Sequence, residues 1–233
     1  MSVATSATGS PARAGRHAAS SPESPWTGTA HLIRLALRRD RVRLTVWIAV
    51  LTLLMAYAPN AITLAYPEES QRRARVELLK TPAGMILGGP MFGKNETDLG
   101  VMMANEMMLT LIVAISILAI LTVIRHTRAE EEGGTAELVL ASAVGRYART
   151  AAALVLVAAV NVVLATTMTA AMAATGFDVV DTAAMCIGVT AVAMVFGGVA
   201  AVTAQMWRTG RAATGAAMAM LALAALIRGV GDV

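Results

Sequence analysis

The chain has 233 residues, of which 57% are hydrophobic and 15% charged, and its mean hydropathy is +0.65. That much apolar surface with so few charges excludes a water-soluble globular fold and implies an integral membrane protein. A net charge of +4 would suggest nucleic acid in a soluble protein, but beside anionic lipid the same arginine excess reads as topology, so no nucleic-acid partner is expected.

Aromatic residues are only 4% of the chain, and its apolar runs are continuous stretches of Ala, Val, Leu, Ile and Met. A transmembrane barrel needs alternating segments of about ten residues between aromatic girdles, and these runs are roughly twice that length. The expected fold is all-α: a polytopic transmembrane bundle of about five spans with a cytosolic N-terminus.

Residues 1–29 are rich in Ser, Ala, Gly, Pro and Thr and hold no apolar stretch of signal-peptide type, so they read as a disordered cytosolic tail. In residues 30–43, Leu32, Leu35 and Leu37 alternate with Arg34, Arg38, Arg39, Arg41 and Arg43, the pattern of an interfacial helix with its arginines on lipid headgroups. The spans follow at about 44–66, 101–124, 150–175, 182–205 and 212–228. Trp47 and Tyr66 suit the interfaces of the first, and Pro59 with Asn60 is expected to break its outer end.

The basic residues set the orientation. The pre-span arginines, Arg125, Arg128, Arg146 and Arg149 in the loop 125–149, and Arg208 with Arg211 all fall on one side, which is therefore assigned to the cytosol. The opposite turn carries Asp178 and Asp181 and no base. The longer outer loop, 67–100, interleaves Arg72, Arg73 and Arg75 with Glu68, Glu69 and Glu77, as in a short amphipathic helix.

Few motifs carry chemistry. The stretch from Gly88 to Asn95 has the glycine and lysine spacing of a phosphate loop, but Asn95 stands where Ser or Thr should meet magnesium, and no buried strand precedes it. No H-E-x-x-H, G-x-S-x-G or C-x-x-C occurs, and His17, His31 and His126 lie far apart. No catalytic residue and no metal site is expected, and Cys186, alone in an apolar run, reads as a packing residue.

Ionisable groups within spans are candidates for function, and here they are Glu106 and Arg228, both close enough to a span end to anchor at the interface instead. Glu106, Met107, Asn161 and Thr166 form a candidate substrate path; hydrogen bonding between helices is the alternative for Asn161 and for Thr166, Thr167 and Thr169. Met102, Met103, Met107 and Met108 offer flexible apolar surface that packs or receives a hydrophobic ligand. Ala193, Gly197 and Ala201 make a small-residue ridge on the fourth span, a helix-packing surface rather than a site.

The most specific segment is Arg125-His-Thr-Arg128-Ala-Glu130-Glu131-Glu132-Gly-Gly-Thr135-Ala-Glu137-Leu138, closed by Val144-Gly-Arg146. Three carboxylates near a helix start, an apolar following turn and a return through Arg146 and Arg149 describe an amphipathic element on the bilayer surface. The segment resembles the first cytosolic loop of type-2 ABC transporter permeases, in particular the branch described as exporters of polyketide antibiotics. The resemblance runs from about Leu32 to the C-terminus. It implies that Glu130, Glu131, Glu132, Thr135, Glu137 and Leu138, flanked by Arg128 and Arg146, form a coupling helix docked on a cytosolic ATP-binding subunit.

The same resemblance implies a permease component of an ATP-driven exporter of hydrophobic small molecules in a bacterial plasma membrane. ATP and magnesium would sit on the partner subunit, with no cofactor in this chain and no hydrolysis by it. Chains of that branch carry two halves of about six spans; with about five spans and no internal repeat here, a second permease half or a second copy is the expected partner. The alternative is a non-transporting membrane subunit that assembles or regulates a larger complex.

Overall fold

The computed structural model describes residues 26, 28–90, 97–132 and 147–231. The expected tail 1–29, apart from its last residues, and most of the loop 125–149 therefore lie outside the described residues. Eight helices are described: α1 (Thr29–Ala65), α2 (Glu69–Leu79), α3 (Pro82–Gly88), α4 (Leu99–His126), α5 (Arg128–Glu132), α6 (Ala148–Ala174), α7 (Val179–Met206) and α8 (Gly210–Gly231). Five of them, α1, α4, α6, α7 and α8, are long and apolar enough to cross a membrane. The chain is a multi-pass helical membrane protein.

The pre-span segment and the first span form one unbroken 37-residue helix, about 55 Å long at 1.5 Å per residue. Pro59 lies within α1 without ending it. Proline removes one i to i−4 hydrogen bond, a loss tolerated in a bundle where neighbours and hydroxyls re-satisfy the backbone. Thr63 Oγ1 donates to the Pro59 carbonyl at 2.7 Å, a side-chain bond one turn beyond the interruption. The helix buries one stripe, Ala36, Asp40, Leu44, Leu51, Met55, Ala58 and Ile62, spaced by three, four or seven residues as one helix face requires.

That stripe packs with Leu111, Ile115 and Leu118 of α4, Leu156, Leu164 and Met168 of α6, and Cys186, Val189 and Ala193 of α7. A second cluster joins Ile120 and Val123 of α4 and Val157 of α6 to Ala200 and Ala204 of α7 and Ala213, Ala217 and Leu221 of α8. Helix α4 runs through both, which is why its window is half buried while α1 and α8 keep most of theirs toward the surroundings.

The contacts fix the two ends of the bundle. At one end, Asp40 of α1 meets Arg125 and His126 of α4, and Arg128 meets Arg208 of the α7–α8 turn. At the other, Asn105 of α4 holds the C-terminus of α3, and Gly229 of α8 passes close to Ile86. Polar caps set the helix starts at this second end: Asp98 Oδ1 accepts from Gly100 N at 2.8 Å, and Asp178 Oδ1 from Val180 N at 2.8 Å and Asp181 N at 3.0 Å. Asp178, read from sequence as a topology marker, thus also starts α7.

Candidate functional site

At the end of the bundle that carries Arg125, Arg208 and Arg211, the last turn of α4 is held by a carboxylate from another span. Asp40 is 2% exposed, yet ionisable. His126 Nε2 donates to its Oδ2 at 2.8 Å, and Arg125 forms an ion pair with it, Nε standing 3.1 Å from Oδ1. Arg43, one turn along α1, stands 3.9 Å from the same carboxylate. Burying a carboxylate is costly, and the Arg125 and His126 side chains, with Arg43 of its own helix, offset that cost.

The five residues of α5 follow at once and are tied at both ends to the α7–α8 turn. Arg128 donates through Nε and Nη2 to the carbonyl of Arg208, at 2.9 Å for Nε. Glu132 accepts from the backbone N–H of Gly210, the first residue of α8. That places a negative charge on a helix N-terminus, where unpaired amides and the dipole favour it. The approach is close: a side chain at Gly210 would lie 3.8 Å from the Ala129 backbone. Helix α5 is thus joined to α4 through the chain and to the start of α8 through Glu132, and Asp40 joins α4 to α1.

Of the residues expected in the coupling segment, Arg128 and Glu132 make these ties. Glu130 and Glu131 lie in α5, and Thr135, Glu137, Leu138 and Arg146 lie outside the described residues. Asp40 and His126 were not singled out by sequence reasoning as a pair. A signal existed: Asp40 falls on the same helical stripe as Ala36 and Leu44, an acid where the pattern calls for an apolar residue.

The four residues of the candidate substrate path do not converge. Glu106 is bound to Arg75 of α2, with Arg75 Nε at 2.8 Å from Glu106 Oε1, and so pins α2 to α4. Met107 packs against the first core cluster. Asn161 is buried and donates through Nδ2 to the Thr190 carbonyl of α7 at 3.1 Å, while Thr166 bonds the Val162 and Val163 carbonyls of its own helix. Replacing Asn161 by Leu is expected to lower stability by about 1 kcal/mol, a typical value for one interhelical hydrogen bond in lipid, read as a shift in the melting curve of the purified chain.

The ridge Ala193, Gly197 and Ala201 faces inward. A Cβ built on Gly197 would stand 3.6 Å from Val157 Cγ1 of α6 and 3.8 Å from Ala119 Cβ of α4, so at this glycine α7 packs against both α4 and α6. Among the described residues, no three His, Cys, Asp or Glu side chains converge as metal ligands would.

Two of the cavities at the end opposite α5 border the first turns of α4. One, about 590 Å³, lies between the start of α4 and the α6–α7 turn, with Asp98, Asp178 and Phe177 on its walls. The other, about 360 Å³, lies between α4, α7 and α8 beneath α3, with Ile112, Val192, Phe196 and Leu221 on its apolar side.

With this arrangement in view, 225 residues, 95% of the chain, align at 38% identity with the multidrug efflux system permease protein Rv1217c of Mycobacterium tuberculosis. The chain is similar to an efflux permease. It spans about 40% of that relative's length. No family profile matches the chain.

Proposed function

We propose that this chain is a membrane-spanning permease component of an ATP-driven exporter of hydrophobic small molecules, of the type-2 ABC class, and that it works with a separate ATP-binding subunit. The observation that carries the reading is α5: the short helix after α4, in the segment that resembles a coupling loop, continues from α4 and is tied through Arg128 and Glu132 to the α7–α8 turn. A subunit pushing on it would shift two spans together. The 38% identity to a multidrug efflux permease supports the same reading.

In this reading the end bearing α5 faces the cytosol of a bacterial cell, as its Arg125, Arg208 and Arg211 require by the positive-inside rule. The chain itself performs no hydrolysis; ATP and magnesium belong to the partner. A second permease half, or a second copy, completes the path for a drug or polyketide-type substrate.

The test is co-purification of the detergent-solubilised chain with candidate ATPase subunits, followed by substrate-stimulated ATP hydrolysis. Wild type is expected to retain an ATPase, and Glu131→Arg with Leu138→Asp to lose it. Arg128→Ala with Glu132→Gln is expected to keep the ATPase but lose stimulation, because docking is intact while the clamp on α8 is gone. Failure of the wild type to retain any ATPase would replace this reading with that of a non-transporting assembly subunit.

A further inference from the structure

The two short helices between the first two spans, α2 and α3, carry their own local order. Pro67 disfavours helical backbone at the residue before it, and Tyr66, at φ −132° and ψ 65°, ends α1 there. A capping box between Glu68 and Gln71 closes the first turn of α2, and Thr81 Oγ1 accepts from Gly84 N at 3.1 Å to start α3. The two helices meet closely: any side chain on Gly84 would collide with the Leu78 carbonyl oxygen, and a Cβ on Gly88 would stand 2.7 Å from Leu79 Cδ2. They form one compact unit behind a joint at Tyr66–Pro67.

Polar bonds join that unit to α4. Val76 and Leu79, the buried residues of α2, belong to neither apolar core cluster. Arg75 reaches Glu106 Oε1 through Nε at 2.8 Å and Nη2 at 2.7 Å, and the two side chains are 21% and 26% exposed. Asn105, one residue before Glu106, donates its amide hydrogens to the carbonyls of Gly88 at 3.1 Å and Gly89 at 3.2 Å, at the end of α3. Few polar bonds that water can replace, and no share in the core, describe an element that opens at a free energy well below that of global unfolding. Beneath the unit lies the cavity of about 360 Å³, with Gly88 and Asn105 on its wall beside Ile112, Val192, Phe196 and Ala225 of the spans. The residue that holds α3 down is thus part of the cavity wall, and lifting α3 breaches that wall.

We propose that α2–α3 is a lid on the α4–α7–α8 cavity, swinging as a unit about Tyr66–Pro67, with the Arg75–Glu106 ion pair and the Asn105 amide as its latch. An acid within a span is costly unless it is paired, and here its partner is carried by the lid. Closure is therefore the position in which Glu106 is neutralised, and opening hands both charges to water. Glu106 sets how often the cavity meets solvent at the end opposite α5. Lid opening is a property of this chain alone, so it goes beyond the permease reading and needs no ATPase.

The experiment measures thiol accessibility in the full chain in phosphatidylcholine nanodiscs. Cys186→Ala removes the native thiol, Ala225→Cys puts a reporter on the cavity wall, and a charged methanethiosulfonate that does not cross lipid labels it, read by mass spectrometry. With the latch intact the reporter is expected to react at least tenfold more slowly than one introduced by Ala74→Cys on the exposed face of α2. Glu106→Gln and Arg75→Gln are each expected to speed labelling of the cavity reporter about tenfold, as the loss of a charge-assisted hydrogen bond predicts. Arg75→Glu combined with Glu106→Arg should restore the slow rate. Glu69→Gln, which breaks the Arg73–Glu69 pair within α2, should leave it unchanged. In parallel chains that keep the native thiol and lack the reporter, Cys186 lies in the first core cluster and should stay slow in every variant. A cavity reporter as reactive as the one on α2, rates unmoved by both latch substitutions, or an acceleration shared by Cys186 would overturn the proposal.

Discussion

Replacing Asp40 with Leu is expected to destabilise the bundle by about 2–3 kcal/mol, more than any other single polar change in the spans. The carboxylate is 2% exposed and receives both His126, itself 6% exposed, and Arg125. Removing it leaves the His126 donor buried without its acceptor and brings two donors of α4 against an aliphatic side chain. Arg125 is 44% exposed and can turn to water, which keeps the cost below the full value for breaking a buried pair. For a chain of this size the melting temperature should fall by about 5–10 °C. Asp40→Asn, which retains an acceptor and loses the charge, should fall by about half as much. A melting curve of Asp40→Leu indistinguishable from wild type would show that the spans α1 and α4 are held by apolar packing alone.

Hydropathy was sufficient for the five spans because a bilayer imposes length and apolarity on each helix independently of its neighbours. The short helix Glu69–Leu79 was legible for a similar local reason, its arginines and glutamates being interleaved at helical spacing. What local pattern could not show was pairing across the bundle. Asp40 and His126 are 86 residues apart, and nothing near either predicts that α1 and α4 meet at that end. Arg75 and Glu106 escaped for the same reason: one reads as a loop charge and the other as an intramembrane acid until α2 folds back on α4. Pro59 misled in the other direction, since its effect in water is to end a helix, whereas in a packed bundle the lost bond is one among many and the helix continues. The segment that resembles a coupling loop was recognised by residue order, but the physical reason it could transmit force, the tie of Arg128 and Glu132 to the α7–α8 turn, became visible only once α7 and α8 were placed beside α4.

The small-residue ridge was legible as a pattern, and its energetic weight can be separated residue by residue. Gly197→Leu is expected to cost about 3 kcal/mol, at the upper end for overpacking a filled core, because its side chain must enter the space held by Val157 on α6 and Ala119 on α4 at once. Gly197→Ala should change stability by less than about 1 kcal/mol, since a single Cβ at 3.6 and 3.8 Å makes ordinary van der Waals contact and alanine favours the helix. The adjacent Gly198 supplies the control: a Cβ there meets nothing within 4 Å, so Gly198→Leu should leave the melting curve unchanged although the substitution is chemically identical and one residue away. Equal losses at the two positions would mean that leucine harms α7 by its bulk alone, and that the close approach of α4, α6 and α7 at Gly197 does not hold the bundle together. A loss confined to Gly197 would locate that approach at the point where α4, the helix leading into α5, is gripped by its neighbours. Any displacement of α5 would then have to move α4 against this contact or bend it beyond, between Ala119 and His126.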